Sequence, residues 1–528
     1  MLIRFGWGVL VLLLAACDDA QGSSLLASTG SAGASPLTAA SALDLHVQQG
    51  ELIGHPVIGG VREFLGVPFA EPPVEALRWA LPVPKAAWPA PLVADHFGPR
   101  CPQASSHGMP NPLESEDCLY LSVWAPAEAH SAPVMVWIHG GGNRDGTASD
   151  FFTGGAALAA RYGVVVVALN YRLGVLGFVA HPQLHQEHGS AVANQGLWDQ
   201  RLAMQWTHTN IAAFGGDPDN ITIFGESAGS ADVCLHMVAP ASRGLFARAI
   251  SESGGCTTRR RSLAAAERDS AQLAEQLGCS ADNALSCLRG AAVPSLFAAT
   301  DALGARGVGF GPVVDGDFTP DQPRALFDRG EIAHVPYLLG TNSDEGSAFT
   351  LDAASITNDE QYMAALERLG PDPNEVQLFY PVSKFSSAQN PYQAAFARAW
   401  GDARMVCSTL DVAVRAERAR LPVFLYNFDI SMDGPNGVFG AAHAFEIGFV
   451  FGTNPTFTLE ERAVSDRMQG HWTQFAKTGD PNGPELYPWP LFRESANVRI
   501  NFAETSSVIQ EFRAPECTYW RLQYDKAF

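Results

Sequence analysis

Short runs of consecutive apolar residues recur along the chain, and each run ends in a segment rich in glycine or polar residues. The clearest are residues 134–138, 164–169, 221–224 and 423–428. Apolar runs of this length, rich in β-branched and aromatic residues, are typical of parallel strands buried on both faces. Residues 198–211 instead have apolar positions at helical spacing. The pattern therefore predicts an α/β protein with a large, mostly parallel central sheet flanked by helices.

The run 221–224 leads directly into Gly225-Glu226-Ser227-Ala228-Gly229, and residues 230–238 then have the pattern of a helix. This sequence fits G-x-S-x-G, in which a sharp turn from strand to helix lifts a serine hydroxyl clear of the sheet. A Cβ at position 225 or 229 would collide with neighbouring backbone. A chance Gly-Ser-Gly turn is the alternative, but the flanking strand and helix favour Ser227 as a nucleophile.

Three glycines follow the run 134–138, in His139-Gly140-Gly141-Gly142-Asn143. Glycines after a strand allow bare backbone N–H groups to converge on one ligand oxygen. An HGGG-type loop of this kind accompanies the serine turn in many hydrolases. A flexible turn without function is the alternative.

Two later segments contain candidate partners for Ser227. The apolar residues 336–339 precede a turn with Asp344 and Glu345, so both carboxylates are expected at the carboxyl edge of the sheet, where open α/β folds place their sites. His443 lies in a loop of very small residues. Any one of the 14 histidines is more often structural than catalytic. His443 stands out because it completes the order Ser, Asp or Glu, His of a hydrolase triad.

Charge excludes some partners. The formal net charge of −21 argues against nucleic acid, which is bound by basic surfaces. A soluble acidic surface explains this charge better than attraction of a cationic substrate does. The sequence has no Cys/His cluster typical of a metal site, and triad chemistry needs no cofactor, so we expect neither.

The N-terminus has the pattern of an export signal. Arg4 precedes an apolar core at residues 9–14, and Leu14-Ala15-Ala16-Cys17 resembles the lipobox of bacterial lipoproteins. We predict a signal peptide over residues 1–17 with lipid on Cys17, a flexible tether over 18–40 and one folded domain over 41–528. The protein would then be exported and anchored to a bacterial membrane, on the periplasmic side or at the cell surface. A secreted or periplasmic soluble protein is the alternative.

Taken together, these segments resemble the type-B carboxylesterase and cholinesterase family of α/β-hydrolases. The similarity begins near Leu45 and continues to the C-terminus. It implies an α/β-hydrolase fold with loop and helix insertions over 41–528, and hydrolysis of small-molecule carboxylic esters through an acyl-enzyme. The motifs that carry it, in the family's order, are residues 116–126, the glycine triplet, 194–200, 214–229, 340–346 and 443–452.

The resemblance also implies residue roles. Glu345, not Asp344, would complete a triad with Ser227 and His443. For the two pocket residues in the segment 307–316, core packing is an equal alternative. The residues implied for the oxyanion hole are Gly141, Gly142 and Ala228, and those expected in the substrate pocket are Asn143, Glu226, Val308 and Phe310.

The chain has nine cysteines. By the family's pattern, three disulfides and an Arg78–Glu116 ion pair are implied. With Cys17 assigned to the lipid, Cys234 and Cys256 remain. We expect these two to be buried free thiols, with a fourth bridge as the alternative. The implied disulfides are Cys101–Cys118, Cys279–Cys287 and Cys407–Cys517.

Two departures from the family bear on the substrate. Asn143 stands where many members have an aromatic residue, and residues 102–117 contain no tryptophan, which choline-binding members carry there. Both argue against choline-ester specificity. A triad of this kind also permits attack on an amide, thioester or carbamate. A non-catalytic binding protein is disfavoured because all three triad residues are present, and the sequence does not indicate the oligomeric state.

Overall fold

A computed structural model describes residues 43–57, 59–103, 113–189, 192–431 and 439–526 of the protein. The predicted signal peptide, the lipid site at Cys17 and the tether lie outside these residues. None of the helices within the described ranges is both long enough and apolar enough to cross a bilayer.

The strands include every apolar run singled out above. Residues 134–138, 164–169 and 423–428 correspond to β7, β8 and β14, and residues 221–224 form part of a longer strand, β9. In chain order the strands are β1 (Asp44–Val47), β2 (Gly50–Ile53), β3 (His55–Val57), β4 (Val61–Pro68), β5 (Leu92–Val93), β6 (Tyr120–Pro126), β7 (Ala132–Ile138), β8 (Val165–Leu169), β9 (Gly216–Glu226), β10 (Arg248–Glu252), β11 (Arg261–Ser262), β12 (Val313–Val314), β13 (Tyr337–Asn342), β14 (Val423–Phe428), β15 (Arg499–Phe502) and β16 (Ser507–Ile509).

An eleven-stranded sheet forms the centre of the molecule, in the order β16-β15-β14-β13-β10-β9-β7-β8-β6-β4-β3. Neighbours from β8 across to β15 run parallel. The pairings outside that block are antiparallel. The predicted α/β architecture is therefore confirmed, and its mostly parallel sheet carries antiparallel additions at both edges.

Helices cover both faces of this sheet. On β9, Ile223 belongs to one hydrophobic cluster and the next residue, Phe224, to the cluster on the opposite face. Burial on both faces explains why the strands are continuously apolar. In chain order the α-helices are α1 (Ala156–Tyr162), α2 (Gly174–Gly177), α3 (Pro182–His188), α4 (Gln195–Asn210), α5 (Ala228–Val238), α6 (Leu263–Gln276), α7 (Ala284–Gly290), α8 (Val293–Gly304), α9 (Pro323–Arg329), α10 (Asp359–Leu366), α11 (Pro373–Phe379), α12 (Pro391–Gly401), α13 (Cys407–Arg418), α14 (Ile447–Phe451), α15 (Leu459–Thr478) and α16 (Ala514–Lys526).

The register of the central strands brings their carboxyl ends to one edge. Ile138 of β7 pairs with Gly225 of β9. Glu252 of β10 pairs with Glu226 of β9 and with Gly340 of β13. The segments that follow these strands therefore meet at the same edge, which is where open α/β sheets build their sites.

Four disulfides join described residues, and one of them corrects our expectation. The three bridges implied by the resemblance are present, whereas Cys234 and Cys256, expected to be free thiols, form a fourth. Cys234 lies on α5, which packs on β10, and Cys256 follows β10. This packing brings their Cα atoms to 5.6 Å, which suits a bridge. Disulfides persist in oxidising compartments and thus indicate an exported protein.

Candidate active site

Ser227 lies at the sharp turn between β9 and α5. Its backbone has φ 57° and ψ −119°, a region that residues other than glycine rarely adopt and that often marks functional positions. The Ser227 N–H donates to the Glu252 carbonyl at 2.8 Å, which holds the turn on the neighbouring strand. A Cβ on Gly225 would lie 2.6 Å from the Ile138 carbonyl oxygen, and one on Gly229 only 2.1 Å from it. The predicted collisions at both glycines are thus confirmed.

The glycine loop after β7 lies against this turn. A Cβ on Gly140 would be 2.7 Å from the Glu226 carbonyl oxygen and 3.1 Å from the Cβ of Ser227. Among the described residues, the N–H groups of Gly141, Gly142 and Ala228 have no acceptor. For Ala228 this follows from its place as the first residue of α5, where helix N–H groups lack internal partners. Three backbone donors without an acceptor among the described residues therefore belong to the glycine loop and to the start of α5.

His443 and Glu345 meet from segments 98 residues apart. The Nδ1 atom of His443 lies 2.6 Å from Oε2 of Glu345, and both side chains are almost fully buried. The other Glu345 oxygen accepts the Asn342 N–H at 2.7 Å, which fixes the carboxylate. Because a carboxylate only accepts hydrogen bonds, Nδ1 carries the proton of the neutral imidazole and Nε2 is its basic atom.

The basic nitrogen of His443 lies next to the side chain of Glu226. Nε2 of His443 lies 3.1 Å from Oε1 of Glu226, the residue directly before Ser227. That contact lacks the geometry of a hydrogen bond, and Nε2 makes none with any residue in the described ranges. The atom is therefore available to receive a proton at this edge of the sheet.

Asp344 has different partners from its neighbour Glu345. Its Oδ1 lies 2.7 Å from Nη2 of Arg398, and its Oδ2 accepts the Ala441 N–H at 3.1 Å. Asp344 thus holds the loop that carries His443, whereas Glu345 holds the imidazole itself.

Further buried carboxylates, which the sequence did not indicate, lie near the imidazole. Glu446 accepts hydrogen bonds from the Ser253 hydroxyl and the Asn342 amide, and Glu252 accepts one from the Trp472 indole. Burial raises the pKa of Glu446 to about 7 and that of Glu252 well above the usual carboxyl range. Glu446 lies within the motif 443–452 and could have been suspected from it, whereas no sequence pattern singles out Glu252.

These charges act on His443. Burial alone would lower the pKa of the imidazole, but the nearby Glu226 and Glu345 outweigh burial and raise that pKa to about 9. Burial also raises the pKa of Glu226 well above its ordinary value. The two carboxylates beside the ring, Glu226 and Glu345, thus favour the protonated, positively charged form of His443.

Of the four residues predicted in the substrate pocket, Glu226 lies against the His443 ring. Asn143 is buried, and its Nδ2 donates to Oδ2 of Asp232 on α5 at 2.6 Å. Its side chain therefore links the glycine loop to α5. Val308 is buried in a hydrophobic cluster, and Phe310 packs against that cluster. Such packing is consistent with the alternative of core packing, and a pocket role for these two residues stays a prediction.

One aromatic residue beside the imidazole was missed. The Phe349 ring lies 4.9 Å from the His443 ring and stacks on Trp400 at 4.5 Å. Phe349 follows the turn with Glu345 by a few residues, but nothing in the sequence pattern indicated that its ring would face His443.

Comparison with known proteins gives two findings. The sequence model of the carboxylesterase family matches residues 41–520. A cholinesterase from Mus musculus is 36% identical over 521 residues, an alignment that covers 89% of this chain and 85% of the relative.

Proposed function

Since this chain belongs to the carboxylesterase family and is a carboxylic ester hydrolase, we propose that Ser227, His443 and Glu345 are its catalytic triad. The observation that carries the proposal is the 2.6 Å contact of His443 Nδ1 with Glu345. Nε2, the other ring nitrogen, has no hydrogen bond among the described residues. A buried base held by a carboxylate, close to the residue before a serine nucleophile, is consistent with nucleophilic catalysis.

The triad would work in two stages. The Ser227 Oγ attacks the ester carbonyl carbon while Nε2 of His443 takes the hydroxyl proton. The imidazolium then gives this proton to the leaving alcohol, and an acyl-enzyme remains. Water, activated by the same imidazole, releases the acid. Glu345 keeps the proton on Nδ1 and stabilises the positive charge of the imidazolium. The nearby Glu226 also stabilises this charge.

The oxyanion of each tetrahedral intermediate would be bound by the N–H groups of Gly141, Gly142 and Ala228. Their lack of other acceptors among the described residues supports this role, as does the close approach of the preceding Gly140 to Ser227. Loss of one such donor typically costs on the order of 10²–10³ in rate.

For the substrate, we propose neutral carboxylic esters in preference to choline esters. Quaternary ammonium groups are held by aromatic faces, and residues 102–117 supply none. The Phe349 ring beside His443 is stacked on Trp400, so one of its faces is covered. The relative in mouse carries the name cholinesterase, which makes this preference a point to test directly.

For its location, we propose a lipoprotein anchored through Cys17 to a bacterial membrane. The lipobox-like residues 14–17 and the Ser/Gly/Ala-rich tether support it. Mass spectrometry of the mature N-terminus tests this proposal, and an unacylated N-terminus or one at another residue would contradict it.

The triad is tested with a fluorophosphonate probe, which bonds covalently to activated serine hydroxyls. We expect a single labelled peptide that contains Ser227, in parallel with loss of hydrolysis of p-nitrophenyl esters of graded chain length. Ser227→Ala should remain unlabelled. A label on another serine, or full hydrolysis after labelling, would overturn the assignment.

A further inference from the structure

The three proposed oxyanion donors come from two separate segments. Gly141 and Gly142 belong to the loop after β7, and Ala228 begins α5. All three can meet one oxygen only if the loop and the helix keep their relative position. The requirement is strict, since a displacement of about 1 Å can cost roughly a hundredfold in rate.

One side-chain hydrogen bond links these two segments directly. Asn143, next to Gly142, donates from Nδ2 to Oδ2 of Asp232 on α5 at 2.6 Å, and both side chains are buried. The backbone of Asn143 is fixed as well, because its carbonyl accepts the Gly174 N–H at 2.7 Å. Its φ of 54° is in the left-handed region, which asparagine tolerates better than most residues. Asn143 is thus the anchored end of the glycine loop.

A second donor also holds Asp232. It is fully buried one helical turn after Ala228, and its Oδ2 also accepts the Gln200 amide at 2.7 Å. Gln200 Oε1 lies 2.9 Å from Nε2 of His236, whose Nδ1 lies 2.8 Å from the Ser242 hydroxyl. Because a carboxylate only accepts, every donor in this chain of hydrogen bonds points towards Asp232. The carboxylate therefore has a fixed position before any substrate binds.

We propose that Asp232 is a positioning residue for the oxyanion hole and acts through Asn143. The inference rests on the proposed function of Gly141, Gly142 and Ala228. Loss of the bond would leave a buried donor unpaired and release the loop from α5. The family's usual aromatic residue at position 143 could only pack there, whereas asparagine lets α5 set the loop's position.

Exchange of the two partners tests the link. Asn143→Asp alone places two buried carboxylates against each other, and we expect kcat to fall by roughly ten- to a hundredfold with little change in KM. Adding Asp232→Asn restores a donor–acceptor pair in reverse and leaves an amide oxygen for Gln200. We expect the double variant to recover most of kcat. If the double variant is no better than Asn143→Asp, the link does not position the hole.

Affinity for an alkyl trifluoromethyl ketone separates positioning from stability. When this ketone adds to Ser227, the Oγ–carbon bond forms, the proton goes to His443 and the carbonyl oxygen becomes an oxyanion in the hole. We expect Asn143→Ala to weaken the ketone by roughly tenfold or more, on the scale of a perturbed oxyanion donor. Unchanged ketone affinity in Asn143→Ala would overturn the inference.

The matched control is Asn194→Ala. Asn194 also has a left-handed backbone, with φ 58°, and donates to a buried aspartate, Asp315, at 2.8 Å, but it lies directly before α4 and not in the glycine loop. We expect it to lose thermal stability without a selective loss of ketone affinity. If wild type and Ser227→Ala bind the ketone equally, the proposed function itself fails. If binding requires Ser227 but not Asn143, the positioning inference alone fails.

Discussion

The two sides of the proposed site are built from different chemical groups. Around His443 lie buried carboxylates, of which Glu345 and Glu226 approach its ring nitrogens at 2.6 and 3.1 Å. On the other side of Ser227, the groups available are the backbone N–H groups of the glycine loop and of the first residue of α5. During attack the imidazole becomes positive and the ester oxygen negative, so each side is complementary to the charge that develops next to it.

This difference has a consequence for pH. The carboxylate side consists of titratable groups that alter the pKa of His443. The donors proposed for the oxyanion are backbone amides, which do not titrate. Changes on the carboxylate side should therefore move the pH dependence of the reaction, whereas changes on the oxyanion side should lower its rate at every pH.

The largest effect is expected from removing the group between the two sides. Ser227→Ala should lower kcat by on the order of 10⁵ or more, as in other serine hydrolases. The mutation should leave the fold intact because alanine also has a Cβ and the turn is held by backbone contacts. Esterase assays with circular dichroism and thermal melting as controls check this. A well-folded variant that retains a substantial fraction of turnover would show that Ser227 is not the nucleophile.

On the carboxylate side, Glu345→Gln should reduce kcat by on the order of 10⁴, by analogy with the acid-to-amide change in a related triad. Asp344→Asn is the matched control, because Asp344 bonds Arg398 and the Ala441 N–H. We expect it to reduce kcat less than about tenfold, as for a positioning contact outside the imidazole. Equal losses in the two variants, or the reverse order, would show that the wrong carboxylate has been chosen.

The sequence predicted best what contiguous residues encode. An apolar strand followed by G-x-S-x-G or by three glycines is local information, and it predicted the turn at Ser227 and its crowded glycines. The choice between Asp344 and Glu345 came from the family resemblance, since the two residues are adjacent and their partners lie far along the chain. The Asn143–Asp232 bond depends on which face of α5 meets the glycine loop, and the Cys234–Cys256 bridge on how α5 packs on β10. Neither follows from spacing.

A smaller effect is expected from Glu226→Gln. His443 must be neutral to act as a base, so activity falls as pH falls through its pKa, which is raised to about 9. Without the Glu226 charge this pKa should fall, so that activity persists to lower pH. The midpoint of the acid limb of kcat/KM against pH measures the shift. Asn143→Ala, on the oxyanion side, is the control and should lower kcat/KM at every pH without moving the midpoint. An unmoved midpoint in Glu226→Gln would show that Glu226 does not raise the pKa of His443.

The smallest effect concerns a cationic substrate. Such a substrate tests whether the buried carboxylates around His443 attract a positively charged ester. Its carboxylates are buried and face His443 or internal donors, and an exposed cation, Arg144, follows the glycine loop two residues after Gly142. Residues 102–117 contain no aromatic residue and one face of Phe349 is covered by Trp400, so neither offers a quaternary ammonium a fully open aromatic cage. We therefore expect kcat/KM for a choline ester to be no higher than for a neutral ester with the same acyl group and an isosteric alcohol.

Arg144→Gln should slightly raise the ratio of kcat/KM for the choline ester to that for the neutral ester. This increase should shrink with added salt, because exposed charges are screened beyond about 8 Å. A choline-ester preference of about tenfold, or roughly 1.4 kcal/mol, would mean that the buried carboxylates do reach the substrate.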